Sequence, residues 1–430
     1  MYDGKILVAH PGKQHSFRVA TALQHHNMLE AYATTVYDKD SSVLMRLSKI
    51  FMRGDLLHSA KKRKCPDVED KKIIQFEEFR GLILLALIRI DKGQKLQKWY
   101  NKYVSCKFQR KLAKYIINHK IEAVISYDSN SDFLFEILSK KAPDVVRIID
   151  NAAPCRNFLY KIYNEKMESG GGFIRLYKTR RYLVDKKCAD SYGKEAQNAD
   201  IHIVASTFSK QASMYNGIDE KHIIVAPYGV DKKTFHLMEK DYQSGLKILF
   251  VGELDQRKGI YQILEAAKQL SGLNIEFNLI GTGREVCPEL YKPYEKYVNF
   301  LGRVSFDKIP EKYGINHIFI FPSMGDGFGL VILEALSSGL PVIASRNCLG
   351  PDIIQDGYNG FLVDAGETGQ LVDKIKWFYE HMEQLPQFQE NAIESVKQMT
   401  WENYEDNLVQ QLCEKIEIVR KEKSEQSEKD

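Results

Sequence analysis

The sequence predicts a two-domain α/β protein built on doubly wound parallel sheets, and three observations predict it. Short runs rich in β-branched and aromatic residues alternate with longer helical patterns along most of the chain. At 430 residues the chain is longer than one hydrophobic core normally organises. The runs also form two series, parted by a stretch that contains Pro227 and Gly229 and then turns polar to about Gly245.

In the first series the runs at 5–10, 31–37, 123–127, 145–150 and 201–206 read as strands. In the second, strands are expected at 247–252, 275–281, 298–301, 317–322, 341–344 and 360–363. Most strands after 246 lead into a helix, as at 259–270 and 328–338, where apolar residues recur at helical spacing. The predicted organisation is an amino-terminal domain over 1–230 with a basic insertion at 41–120, and a linker at 231–245. A second α/β domain follows over 246–398. A last helix from Trp401 crosses back over 399–420, and 421–430 is a charged tail expected to be disordered. Two such domains face each other across a cleft at the carboxyl ends of their strands, where open α/β sheets bind ligands.

Composition narrows the class. With 44% hydrophobic and 27% charged residues the chain reads as globular. No apolar run approaches the roughly 20 residues that span a bilayer, and Met1–Lys5 shows no secretory pattern, so a cytoplasmic protein is expected. Seven scattered cysteines, none in a Cys-x-x-Cys pair, point to reduced thiols rather than a disulfide framework or zinc site. The net charge of +4 hides an asymmetry. Residues 41–120 hold 20 Lys/Arg against 7 Asp/Glu, a balance of +13, which leaves −9 for the remainder.

The chemistry is densest at Phe319-Ile320-Phe321-Pro322-Ser323-Met324-Gly325-Asp326-Gly327-Phe328-Gly329-Leu330, continuing into an apolar helix with Glu334. A strand runs through a glycine turn into a helix, whose first turn has unpaired N–H groups and a positive dipole end that suit an anion. Asp326 and Glu334 can then hold hydroxyl groups on either side of it. A pyrophosphate flanked by two sugars is a nucleotide-sugar. After the strand at 247–252, Arg257 and Lys258 sit at a helix start, where cations are disfavoured unless an anion is present. Gly281 and Gly283 form a further strand-end turn able to approach a base or ribose. Arg303 and Val304 follow the next strand and offer backbone groups to a base.

In the first domain Gly12, within His10-Pro11-Gly12-Lys13-Gln14-His15, lets a loop approach the diphosphate. His10 and His15 are candidate acceptor contacts, though histidines near a turn more often belong to polar surface. Asp128 follows a first-domain strand and is a candidate contact for an acceptor hydroxyl. Asp132 suits a helix cap. Asp38-Lys39-Asp40 offers two acids, too few to hold a metal, and reads as a solvated turn with no metal site.

Taken in order, these pieces resemble a family 4 retaining glycosyltransferase of the GT-B fold. The resemblance runs from Ala199-Asp200-Ile201-His202-Ile203-Val204-Ala205-Ser206 through Pro227-Tyr228-Gly229-Val230-Asp231 and Arg257-Lys258-Gly259. It continues through Gly281-Thr282-Gly283 and Gly327-Phe328-Gly329-Leu330 to Glu334-Ala335 and Gly339-Leu340-Pro341-Val342. It implies that Asp326 takes the place of the first acid of a Glu-x7-Glu motif and contacts the donor sugar, with Glu334 on the nucleotide ribose. It also implies Arg257 and Lys258 on the pyrophosphate, Gly327, Phe328, Gly329 and Leu330 as phosphate-side backbone, and Gly12 as the amino-terminal glycine loop. The family uses no cofactor beyond the nucleotide-sugar. Three departures stand out: Asp326 is one methylene shorter than the usual Glu, Glu253 lies where many relatives carry Arg, and Tyr127 or Asp128 lies where many carry His.

The expected reaction is retaining, metal-independent transfer of a sugar to a hydroxyl acceptor, a lipid-linked or polysaccharide intermediate of bacterial surface glycan synthesis. A sugar-nucleotide epimerase or hydrolase, or a non-catalytic nucleotide-sugar binder, is the alternative on the same fold. The basic region places apolar residues of 43–52 and 81–90 beside Arg46, Lys49, Arg53, Arg80 and Arg89, with the run Lys61-Lys62-Arg63-Lys64. Such a surface suits anionic lipid at the inner face of a cell membrane; the competing reading is a buried helix and a solvated loop. Nucleic-acid binding is not expected, because the basic run lacks interleaved aromatic platforms.

Overall fold

The computed structural model describes residues 4–12, 15–39, 41–42, 44–45, 63–91, 95–179 and 183–428. Two all-parallel sheets form. The first contains β1 (Ile6–Ala9), β2 (Leu29–Thr34), β3 (Ile73–Gln75), β4 (Ala123–Tyr127), β5 (Val146–Asn151), β6 (Ile201–Val204) and β7 (Ile223–Val225), in the order β3-β2-β1-β4-β5-β6-β7. The second contains β8 (Leu246–Val251), β9 (Ile275–Ile280), β10 (Asn299–Gly302), β11 (Ile318–Phe321), β12 (Val342–Ser345) and β13 (Gly360–Val363), in the order β10-β9-β8-β11-β12-β13. The central strands are continuous apolar runs, Ile-Leu-Val-Ala in β1 and Ile-Phe-Ile-Phe in β11, buried at every position because helices cover both faces. Each sheet reverses direction once, between β1 and β4 and between β8 and β11. Those two switch points lie where ligands enter doubly wound sheets.

Helices follow from the same patterning. Helix α1 (Ser16–His25) follows β1 and buries Val19, Ala20, Ala22 and Leu23. In the basic region lie α2 (Glu78–Ile90) and α3 (Lys95–Asn118). Helix α4 (Ile260–Gln269) buries Ile260, Ile263, Leu264 and Ala267, and starts at Gly259, whose φ of +74° admits glycine. A Cβ there would also collide with the carbonyl of Pro322. Helix α5 (Leu330–Ser337) starts at Gly329, so it opens two residues later than the sequence suggests.

The doubly wound two-domain architecture is as expected, with differences at its margins. β3 and β7 are three-residue edge strands that the sequence reading did not separate from their surroundings. Asp38 is not in a solvated turn: it is 8% exposed, and its N–H donates to the carbonyl of Arg63. Asp40, most of 43–52, and Lys61 and Lys62 lie outside the described residues.

The largest difference is at the carboxyl end. Helix α6 (Trp401–Ser427) does not give way to a disordered tail at Arg420 but continues through Ser427. It begins at Thr400, whose hydroxyl accepts the Asn403 N–H, and runs back across the first domain, where Glu405 meets His25 at 2.7 Å. Its far end is fixed by Lys423, which donates to the carbonyls of Pro143 and Val145 and to Asp200 at 2.9 Å. Asp200 also takes a forked bond from Arg147, at 3.0 and 2.6 Å. Burial opposes ionisation of Asp200, and Arg147 and Lys423 outweigh it, so its carboxyl lies below the usual range. Asp200→Ala is therefore expected to cost about 2 kcal/mol, the worth of charge-assisted hydrogen bonds. It should also expose the last turns of α6 to amide exchange; unchanged protection there would show that the anchor lies elsewhere.

Candidate active site

Three of the residues singled out in the second domain, Arg257, Lys258 and Asp326, come together at its switch point. After β8 the chain turns through Gln256–Lys258, where the Asp255 carboxylate caps the Arg257 N–H. After β11 the Pro322–Phe328 loop folds onto this turn: the Arg257 carbonyl accepts the Met324 N–H at 2.9 Å and the Ser323 hydroxyl at 3.1 Å. Lys258 Nζ thereby contacts Asp326 Oδ2, with Arg257 Nη1 at 3.7 Å from the same oxygen. Burial opposes ionisation of Asp326, but the charges of Lys258 and Arg257 overcome it and hold the carboxyl below its usual range. Asn347 accepts the Asp326 N–H at 2.9 Å and fixes the loop from the far side. Glu253 lies 3.6 Å from Arg257 Nη2, so it shares that guanidinium with Asp326.

Glu334 lies on α5, where its Oε2 accepts the hydroxyl of the fully buried Tyr313 at 2.9 Å. Burial raises its pKa against that hydrogen bond. Gly281 stacks so closely on the end of β8 that a Cβ would strike the Gly252 carbonyl. Nearby, the Gly283 N–H donates to Glu285 at 2.8 Å. Leu254, Gly281, Arg284, Pro288, Phe300 and Gly302 line a cavity of about 430 Å³ there. Arg303 is exposed just beyond this cavity and Val304 packs on the core, so neither side chain joins the Lys258–Asp326 group.

The Pro322–Phe328 loop is clamped against the first domain. The Gly327 carbonyl accepts the hydroxyls of Ser206 and Ser209 at 2.6 and 2.9 Å. A Cβ on Gly327 would come within 2.5 Å of the Ala152 carbonyl. Phe328, 3% exposed, meets the ring of Tyr228 edge-on at 4.9 Å. Leu330 opens α5, where the Ile332 N–H already donates to the Gly329 carbonyl at 2.9 Å and the two amides before it, Leu330 and Val331, have no preceding turn to bond to.

Across the cleft, at the switch point of the first sheet, the Gly12 N–H donates to His10 Nδ1 at 2.8 Å. The reading of the two histidines as polar surface does not hold. His10 is 5% exposed, and His15 Nε2 lies 3.0 Å from Asp150 Oδ2. Asp150, at the end of β5, escaped the sequence reading, as did Tyr313. A strand-end acid aimed at the cleft was the only available signal for Asp150. Burial pushes the Asp128 carboxyl up to about 6, with Arg156 opposing it. Asp132 takes a 3.0 Å bond from Gln109 and caps no helix through its side chain.

Comparison with known proteins agrees with this layout. The glycosyl transferases group 1 family matches residues 232–395. An uncharacterized glycosyltransferase of Methanocaldococcus jannaschii is 32% identical over 216 residues, covering 48% of this chain and 57% of that protein. The chain thus spans about half the length of the curated relatives it matches. Sucrose-phosphate synthase from Thermosynechococcus elongatus superposes with a TM-score of 0.63 at 16% identity, over 95% of this chain and 98% of that one. The Anabaena protein HepE, solved with UDP and glucose, gives 0.59 at 16% identity, over 95% and 99%. These likenesses establish the GT-B fold over both domains. The half that carries the Lys258–Asp326 contact is the half that matches the glycosyl transferases group 1 family.

Proposed function

We propose that this chain transfers a sugar from a nucleotide-diphosphate sugar to a hydroxyl acceptor, with retention at the anomeric carbon and without a divalent ion or other cofactor. The observation that carries this reading is the meeting of Lys258, Arg257 and Asp326 with the start of α5, opposite the Asp128 side of one closed cleft. Breaking the anomeric bond leaves charge on the diphosphate. Two cations and the α5 amides stabilise that charge without reorganisation. The sugar acquires oxocarbenium character. The acceptor attacks from the leaving-group face, and its proton passes to the departing phosphate oxygen. Asp326, released from Lys258 by the diphosphate, holds the donor sugar, and Glu334 holds the ribose.

The donor half is supported further by the UDP and glucose bound to the fold relative HepE. Thermal-shift measurements with UDP, GDP and their sugars, followed by product analysis with labelled donors, test the reading. A glycosylated acceptor supports transfer. An isomerised donor, free sugar, or binding without turnover would replace it with the epimerase, hydrolase or binder alternative.

The acceptor is proposed to be lipid-linked, reached at an anionic membrane face, and one surface favours this. Phe79, Ile83, Ala86 and Ile90 recur at helical spacing on α2 and are all exposed, Phe79 at 62% and Ile90 at 76%. Leu96 and Trp99 extend the patch onto α3 beside the exposed Lys95, Lys98 and Lys102. The opposite side of α2 packs on Val36 and Met45 through Leu82 and Leu85, so the helix is neither core nor solvated loop. Gly81 rests on Thr35, whose hydroxyl donates to the Pro11 carbonyl at 2.5 Å, one residue from the Gly12 loop. Apolar residues ringed by cations fit an acidic lipid surface. The chain should float with phosphatidylglycerol vesicles at low salt and release at high salt. Phe79→Asp with Trp99→Asp should abolish flotation; equal flotation with pure phosphatidylcholine, or dimerisation through this face instead, would refute the assignment.

A further inference from the structure

Beneath the donor loop, three ionisable side chains from three elements of the first domain meet. His15 immediately precedes α1, Asp128 follows β4, and Asp150 lies in β5. His15 is 19% exposed and Asp150 2%. The His15 ring lies 5.2 Å from Tyr127 and 5.4 Å from Tyr228, and Tyr228 in turn abuts Phe328 of the opposite domain. The Asp128 carboxylate takes the Ala152 N–H, and Ala152 is the residue on which Gly327 closes. The other feature of Asp128 is unusual. Its Oδ1 is buried and accepts no hydrogen bond. A buried carboxylate oxygen left unsatisfied is unfavourable and calls for a ligand or a compensating charge.

The charges that face Asp128 are Arg156 from the following helix, Asp150 from β5 and His15 from the α1 start; Cys155 and Tyr228 also border it. Arg156 donates to Ser129 at 3.1 Å. His15 faces Asp150 and Asp128, and although burial alone would lower its pKa, Asp150 raises it above the ordinary value. Two carboxylates in one dry site repel, and an interposed cation relieves the repulsion.

We propose that Asp128 Oδ1 anchors a hydroxyl of the acceptor, and that His15 and Asp150 are its positioning residues, His15 supplying the positive charge that lets both carboxylates remain ionised side by side. The word acceptor rests on the transferase reading above; the electrostatic arrangement does not. The anchor takes no proton, since the attacking hydroxyl gives its proton to the departing phosphate. Acceptor capture therefore fails on the acid side, while donor capture at Lys258 does not.

Infrared titration tests the arrangement without any substrate. A protonated-carboxyl band absent from Asp128→Asn should titrate with a midpoint near 6. In His15→Asn, Asp128 should bind its proton about three- to tenfold more tightly, and in Asp150→Asn more weakly by a similar factor. The double variant should return towards the wild-type midpoint. With octyl hexopyranosides as acceptor probes, the acceptor KM should rise below each variant's own midpoint while the donor KM stays flat. If His15→Asn does not fold, Asp150→Asn still tests the arrangement through its opposite sign. Midpoints that ignore His15 and Asp150, or an acceptor KM that does not track them, overturn the proposal. Absence of transfer from every donor would count against the transferase reading instead, and the infrared midpoints would still decide the charge arrangement.

Discussion

Lys258→Ala is expected to lower kcat about a thousandfold, close to 4 kcal/mol of transition-state stabilisation, the scale seen when one charge-stabilising group is removed from a preorganised site. Lys258 has two jobs that this variant removes together. In the fold it neutralises Asp326, and both side chains are mostly buried, at 13% and 16% exposure. Its loss leaves Asp326 with Arg257 at 3.7 Å, so folding stability should fall by roughly 2 kcal/mol at neutral pH. The sign follows from the lowered carboxyl pKa of Asp326. The pair stabilises the fold above the ordinary carboxylate range and ceases to do so as acid protonates Asp326. The stability gap between wild type and variant should therefore close below about pH 4. Adding Asp326→Asn to Lys258→Ala removes the uncompensated charge and should restore stability without restoring turnover. Turnover within a few-fold of wild type in Lys258→Ala would remove this site from the reaction.

The parts of this architecture that could be read from the sequence are those whose signals are local. β1 and β11 are continuous apolar runs, and β8 and β12 are broken only by Lys247 and Ser345, because both faces of a parallel sheet are covered; such runs are visible without knowing their partners. Arg257, Lys258 and Asp326 are legible because each follows a strand by a few residues, and strand order then brings the three together. β3 and β7 were lost for the converse reason. Each is three residues long and pairs with one neighbour, and β7 runs straight into Pro227 and Gly229, which read as a linker. The end of α6 looks like a charged tail in isolation. Its order comes from Lys423 reaching carbonyls and Asp200 more than 200 residues away, a tertiary contact that overrides local composition. His15 with Asp150, and Tyr313 with Glu334, are likewise pairings between separate elements. A histidine beside a turn carries no local sign that a strand-end acid 135 residues on will bury against it.

Asp128→Asn should make the protein more stable and less capable. Burial of this carboxylate moves its pKa from about 3.8 to about 6. Between those values the folded state binds a proton that the unfolded chain has released, so wild-type stability falls as pH rises through the interval. By pH 7.5 the accumulated penalty is on the order of 2–3 kcal/mol, taking 1.36 kcal/mol for each tenfold change in proton affinity. Asparagine keeps the volume and a carbonyl to receive the Ala152 N–H, but carries no charge. The variant should therefore unfold at a higher temperature at pH 7.5, with the gain shrinking to nothing near pH 4. A gain of this size at a candidate site fits stability given up for function. The same variant should lose affinity for the acceptor while binding the nucleotide-sugar as before. A melting temperature that drops at pH 7.5, or rises equally at every pH, would show that Asp128 is an ordinary structural acid and that the acceptor is held elsewhere in the cleft.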